Sequence, residues 1–320
     1  MATSPLPVSL ADVEAAARRI APLAVRTPLL RLSLGSEVHV KPESLQRTGS
    51  FKFRGALNAL SSMPRERLAR GVVADSSGNH AQGVAAAATL LGVAATIVMP
   101  DNAVPLKVER TRALGAEIVR CGSSSGERER VAAELRDRRG LEYVPPFDDV
   151  RIIAGQGTVG LELAQDLADV TTVVVCVGGG GLISGVATAV KALCPGARVI
   201  GVEPVLAADA QESLRTGARV RWSAEDVSRT VCDGVRTQQL GEITFEVISR
   251  LVDDIVTVGE DAVLDAMRWY AVEAKLVVEP TGALTLAALQ TGAVVADGPT
   301  VLVASGGNAD PALLASVLAR

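Results

Sequence analysis

The chain has 320 residues, a formal net charge of −4, and a hydrophobic fraction of 48% of which very little is aromatic. A chain this long can bury a large aliphatic core and is expected to divide into two lobes. With no Lys/Arg-rich run and no apolar stretch of the ~18 residues a membrane span needs, neither nucleic acid nor a bilayer is expected as partner. In chain order, a strand is predicted at Gly71-Val72-Val73-Ala74 and an Ala-rich helix from Ala81 to Leu91. A strand at Ala95-Thr96-Ile97-Val98-Met99, a helix from Leu106 to Leu114, and a strand at Glu117-Ile118-Val119 follow. A charged helix is expected from Glu127 to Arg139, then a break at Pro145-Pro146 and a helix from Gly157 to Leu167. The remaining strands are read at Val173–Val177, Arg198–Val202 and Thr300–Ala304. Strands that are apolar throughout and alternate with helices predict an α/β fold, its parallel sheets covered on both faces. The Pro-Pro break suggests a lobe boundary near residue 150.

The opening Met1-Ala2-Thr3-Ser4-Pro5-Leu6-Pro7 lacks the basic-then-apolar order of a signal peptide. Cys121, Cys176, Cys194 and Cys232 are widely spaced, so reduced thiols are expected rather than disulfides or zinc ligands. The expectation is a soluble, cytoplasmic protein.

Four consecutive glycines, Gly178 to Gly181, follow the run Val173-Val174-Val175-Cys176-Val177 and lead into Leu182-Ile183-Ser184-Gly185. Backbone without Cβ atoms lets amides converge on a phosphate, and a following helix N-terminus adds its positive end. A dinucleotide fold is one rival, with Glu203 placed where an acidic residue would bind a ribose. Its fingerprint is incomplete, because the third glycine position falls on Ile183 or Ser184. A P-loop is excluded, because no Gly-Lys-Ser/Thr follows. Ser50-Phe51-Lys52-Phe53-Arg54-Gly55-Ala56 places a lysine between two phenylalanines at a predicted helix start, with Ser50 as cap. Apolar surroundings lower a lysine's pKa and make the amine a nucleophile for a Schiff base. Ser76-Ser77-Gly78-Asn79-His80 links a strand to a helix and suits a carboxylate or a ring oxygen, and Ser305-Gly306-Gly307-Asn308 follows the last strand. Taken singly these are also a surface lysine, a helix cap and a turn.

Together and in this order the motifs resemble the fold-type II pyridoxal phosphate (PLP) enzymes, specifically the serine/threonine dehydratase and serine racemase group, hydroxyaspartate dehydratases included. The resemblance runs from Thr27-Pro28-Leu29 to Asn308 and includes Lys41-Pro42-Glu43-Ser44-Leu45-Gln46-x-Thr48-Gly49-Ser50-Phe51-Lys52. Ala154-Gly155-Gln156-Gly157-Thr158 and Leu251-Val252-Asp253-Asp254-Ile255 belong to it as well. It implies a two-lobed, tryptophan synthase β-like architecture. Residues 1–68 and 150–320 would form the large cofactor-binding domain and 69–149 the small mobile one. It also implies a homodimer without the C-terminal regulatory domain of biosynthetic threonine dehydratases.

The resemblance implies that Lys52 carries the cofactor as an imine and then serves as base at Cα. Gly178, Gly179, Gly180 and Gly181 would hold the phosphate, with Phe51 and Leu182 also at the cofactor. Asn79 would meet the ring hydroxyl and Ser305 the pyridine nitrogen. A neutral hydroxyl there makes the ring a weaker electron sink than a carboxylate would, which suits β-elimination. Ser76, Ser77, Gly78, Asn79, His80 and Thr237 are implied to bind substrate, and Ser77 can also exchange a proton with Cα as in the racemases. Arg128 and Arg236 as a pair would bind a second carboxylate and favour 3-hydroxyaspartate; alternatively both lie on solvated faces. Glu203, the Ala207 carbonyl and Asp209 resemble the group's site for magnesium or calcium. The expected activity is ammonia loss from L-serine or L-threonine to give a 2-oxo acid, with hydroxyaspartate dehydration and serine racemisation as alternatives.

Overall fold

A computed structural model describes residues 5–35, 37–103, 105–122 and 125–320, so the opening residues 1–4 read above for a targeting signal lie outside it. Ten strands form two sheets: β1 Leu30–Arg31, β2 Val38–Pro42, β3 Val72–Asp75, β4 Ala95–Pro100, β5 Glu117–Cys121, β6 Glu142–Tyr143, β7 Thr172–Cys176, β8 Arg198–Pro204, β9 Asp254–Val258 and β10 Thr300–Ala304. The larger sheet runs β1-β2-β10-β7-β8-β9 and is parallel apart from the antiparallel β1–β2 pair. The smaller runs β5-β4-β3-β6 and is parallel throughout. Central strands β4, β7 and β10 are buried at every position, as expected of strands covered by helices on both faces. The core around them is aliphatic, with Val173, Val174, Val175, Ile183 and Leu302 in one cluster and Leu57, Val84 and Ile97 in another.

Two local expectations are corrected. The helix expected from Gly157 starts at Val150, because the Asp149 side chain accepts from the amides of Arg151 and Ile152 and caps it there. Ser50 is not the cap of helix Lys52–Ser61. It is extended, it bridges to Gly306 through the backbone, and its Oγ is buried without a partner.

The glycines of the Ala154–Thr158 segment sit inside helix Val150–Asp166 and let its neighbours approach. A Cβ on Gly155 would come within 2.6 Å of Gly55 Cα in helix Lys52–Ser61. One on Gly185, in helix Gly181–Leu193, would come within 2.3 Å of the Ile153 carbonyl oxygen. The helix bearing Lys52 is further anchored by a buried charge cluster. Arg54 donates to both Glu43 oxygens at 2.7 and 2.9 Å and to both Glu162 oxygens at 2.6 and 3.0 Å. Lys41 donates to Glu162 at 2.7 Å and to the Thr27 carbonyl at 2.6 Å. Strands β3, β7 and β10 each end by turning into one of the singled-out loops. The carboxyl ends of parallel strands are where open α/β sheets bind ligands.

Candidate active site

Those strand ends surround a cavity of about 460 Å³. Lys52 lines it, its Nζ donating to the Pro146 carbonyl at 2.7 Å and lying 5.2 Å from the Phe51 ring centroid. Burial pulls the Lys52 pKa down to about 8. The loop after β3 lines the wall through Ser76, Ser77, Gly78, Asn79 and His80. The Ser76 hydroxyl accepts from Gly78 N–H at 3.2 Å, and Asn79 begins helix Asn79–Leu90. The Asn79 amide donates to Glu279 at 2.6 Å, and its oxygen accepts from Asn308 at 2.8 Å. His80 Nε2 meets the Val144 carbonyl at 2.9 Å; burial, then the Lys52 charge, hold its pKa down to about 3, so the ring is neutral.

Glycine is required at the loop after β7 for two reasons. Gly180 has φ +90°, a left-handed conformation, at the N-cap of helix Gly181–Leu193. Gly179 lines the cavity so close to Phe147 that a Cβ would fall 2.3 Å from the ring. Among the described residues, the amides of Gly178 to Gly181 meet no protein acceptor. At the end of β10, Ser305 is 1% exposed, and its Oγ makes no hydrogen bond of ordinary geometry, its near neighbour being the Cys176 thiol. A nucleophilic amine, Gly179 of the glycine loop and an orphaned buried hydroxyl thus line one space.

A family model described as "Pyridoxal-phosphate dependent enzyme" matches residues 20–306. The chain belongs to that family. It is 46% identical over 288 residues to the L-threonine ammonia-lyase of Geobacter sulfurreducens, covering 90% of this chain and 71% of that protein. It is 42% identical to the L-threo-3-hydroxyaspartate ammonia-lyase of Saccharomyces cerevisiae, with 93% of each chain covered. The maize serine racemase structure superposes with a TM-score of 0.92, at 36% identity over 98% of this chain and 97% of that one. The fold is that of the fold-type II PLP enzymes, and the chain is an enzyme of that kind.

The residues present fit the cofactor. The amides at Gly178 to Gly181 suit its phosphate, Lys52 its aldehyde carbon, and the unpaired Ser305 hydroxyl a ring nitrogen. Phe51 and Gly179 line the cavity, whereas Gly178, Gly180, Gly181 and Leu182 do not form its described lining. Arg128, Arg236 and Thr237 all reach the wall. The Arg236 guanidinium is held by the Thr230 carbonyl, through Nε at 3.0 Å and Nη2 at 2.5 Å. Arg128 Nε and Thr237 Oγ1 are buried without partners.

Glu203, Ala207 and Asp209 stand apart from this cavity, at the end of β8 and the start of helix Asp209–Thr216. Glu203 accepts from the amides of Ala210 at 3.1 Å and Gln211 at 2.7 Å. Both Asp209 oxygens are buried without a partner. Burial raises Asp209 to about 7 and, with the neighbouring Asp209 charge, lifts Glu203 well above the usual carboxylate range. Among the described residues no group of three or more His, Cys, Asp or Glu side chains gathers as a metal centre. All four cysteines are free and buried, and no described helix is long and apolar enough to cross a membrane.

Sequence reasoning missed several wall residues. Glu279 is 4% exposed, and burial, then the Asp233 charge, raise its pKa to about 7. Its sequence signal, an acid before Pro280 at a helix start, points to a cap. Pro146, read as part of a lobe boundary, and Phe147 both line the cavity, with Phe147 packed against Gly179 and Gly181. Asp75, Lys107 and Asp233 line the cavity too, with Lys107 paired to Asp233. No local pattern marks them.

Proposed function

We propose that this chain removes the elements of water from L-serine or L-threonine, and that the unsaturated amino acid so formed takes up water again as it releases ammonia, leaving a 2-oxo acid. The observation that carries the reading is the shared cavity of Lys52, whose pKa lies near 8, and the neutral, unpaired Ser305 hydroxyl. Bound PLP supplies the electron-withdrawing ring that acidifies the substrate Cα–H. Lys52 Nζ, in its neutral form, takes that proton and can return it to the β-hydroxyl as it leaves. Ser76, Ser77 and Gly78 precede the 12-residue helix Asn79–Leu90, whose positive end favours the substrate carboxylate. Phe147 and Phe51 line the cavity and would restrict water around a bound substrate. A neutral Ser305 would give the ring nitrogen no charged partner, and the weaker electron sink that results suits β-elimination.

A racemase is the second reading, supported by Ser77, which lines the same cavity as Lys52 and carries an exchangeable proton. The Arg236–Thr230 bond argues against the double-arginine dicarboxylate site in this conformation. A small lobe of residues 69–149 that closes on the cavity, a homodimer and a cytoplasmic setting belong to the proposal. So does a magnesium or calcium ion at Glu203, the Ala207 carbonyl and Asp209, supported by the unpaired Asp209 oxygens.

The test is a visible spectrum of purified protein, followed by 2-oxo acid and chiral serine assays. The expected outcome is a lysine-bound cofactor band, with pyruvate formed faster than D-serine. Lys52→Ala should lose the band and at least ~10³-fold of the lyase rate. Full activity in that variant would end the lyase reading, and D-serine as the faster product would replace it with the racemase.

A further inference from the structure

Asp75 is the last residue of β3 and lines the cavity immediately before the Ser76–His80 loop. Its carboxylate is held in place, because Tyr143 of the adjacent strand β6 donates its hydroxyl to Oδ1 at 2.6 Å. Arg128, from helix Ser125–Arg139, lines the same space; burial holds the Asp75 carboxyl above its usual range, and the Tyr143 hydrogen bond and then the Arg128 charge work against that rise. The other cavity cations have different partners: Lys107 pairs with Asp233, and Arg236 and Lys52 bond backbone carbonyls. Arg128 is thus the cation whose charge an incoming carboxylate could meet, and Asp75 is the carboxylate already opposing it.

We propose that Asp75 is a specificity-determining residue: by balancing Arg128 it disfavours substrates with a second carboxylate and leaves the site to serine and threonine. This rests on the lyase reading above. A β-carboxylate drawn to Arg128 at this wall would also meet the Asp75 charge, since both side chains line the one cavity. Like charges there, at an effective dielectric near 20, repel enough to weaken binding on the order of 10-fold or more. Fixing by Tyr143 matters, because a carboxylate free to swing away would relieve that repulsion.

The experiment measures kcat/KM for L-serine and L-threo-3-hydroxyaspartate on the PLP-loaded enzyme, with hydroxyaspartate also tested as competitor of serine turnover. The wild type should prefer serine. Asp75→Asn should raise the hydroxyaspartate-to-serine ratio by ~10-fold or more, and Asp75→Glu, which keeps the charge, should raise it far less. Arg128→Gln leaves Asp75 unopposed and should weaken hydroxyaspartate as a competitor. A wild type that prefers hydroxyaspartate, or an Asp75→Asn ratio within twofold of wild type, would overturn the assignment. If Asp75→Asn does not fold, Arg128→Gln decides, since unchanged or tighter hydroxyaspartate competition also overturns it. An enzyme that makes 2-oxo acid from neither amino acid would instead sink the lyase reading.

Discussion

At the scale of single residues, the site keeps its working groups under electrostatic tension. Lys52 is held near pKa 8 against an ordinary 10.5 because its charged form loses solvation. In cofactor-free protein this destabilises the fold: between about pH 8 and 10.5 the unfolded chain holds a proton that the folded chain does not. The cost is therefore full below pH 8 and fades as pH rises toward 10.5. Lys52→Met should stabilise the apo-protein by about 2 kcal/mol at pH 7 and by much less at pH 10.5, as read by urea denaturation at both values. A gain that is equal at the two pH values would mean that packing, not charge, sets the difference. Lys52 was legible because its apolar neighbours are adjacent in sequence. Glu279 and Asp75 were not, because their surroundings come from elements far along the chain.

At the scale of elements, the loop motifs are held in position by helices packed at backbone contact. Helix Val150–Asp166 lies between the helix that carries Lys52 and the one that begins at the glycine loop, and glycine pairs set both crossings. Gly185→Ala places a methyl against the Ile153 carbonyl and the Gly157 amide, neither of which is a flexible side-chain end. The expected loss is about 2–3 kcal/mol in denaturant melts, with a lowered cofactor affinity because the following-helix start moves with it. Unchanged stability would show that the helices separate freely. Ala154–Thr158 was legible as a recurrent segment, but its purpose was hidden. Helix crossing depends on two faces, and a sequence segment shows only one of them. The start of this helix was misplaced at Gly157 for a related reason: the Asp149 cap and the packing that tolerates Gly155 inside the helix both depend on three-dimensional geometry.

At the scale of the whole molecule, the cavity exists because two separate parallel sheets direct their strand ends at one space. Asn79–Glu279, Lys52–Pro146 and Lys107–Asp233 then join residues of the 69–149 segment to the rest of the chain across it. The proposed cation site lies apart from that space and would act on stability. Adding magnesium or calcium at 100 times its dissociation constant should stabilise the protein by about 2.7 kcal/mol, seen as a rise in Tm. Asp209→Asn should abolish the rise. A Tm indifferent to both cations in the wild type would remove the ion from the proposal.

The sequence by itself determined the α/β class, the family resemblance, and the contiguous groups: Lys52, the glycine cradle, the Ser76–His80 loop and Ser305. Each is a short motif whose chemistry lies in neighbouring residues, so no fold is needed to see it. The tertiary structure alone decided which charges share the cavity. It bound Arg236 to Thr230, set Asp75 in the field of Arg128, placed Glu279 on Asn79, and brought Phe147 against Gly179. Those contacts join residues up to 200 positions apart, and burial and charge act through space rather than along the chain.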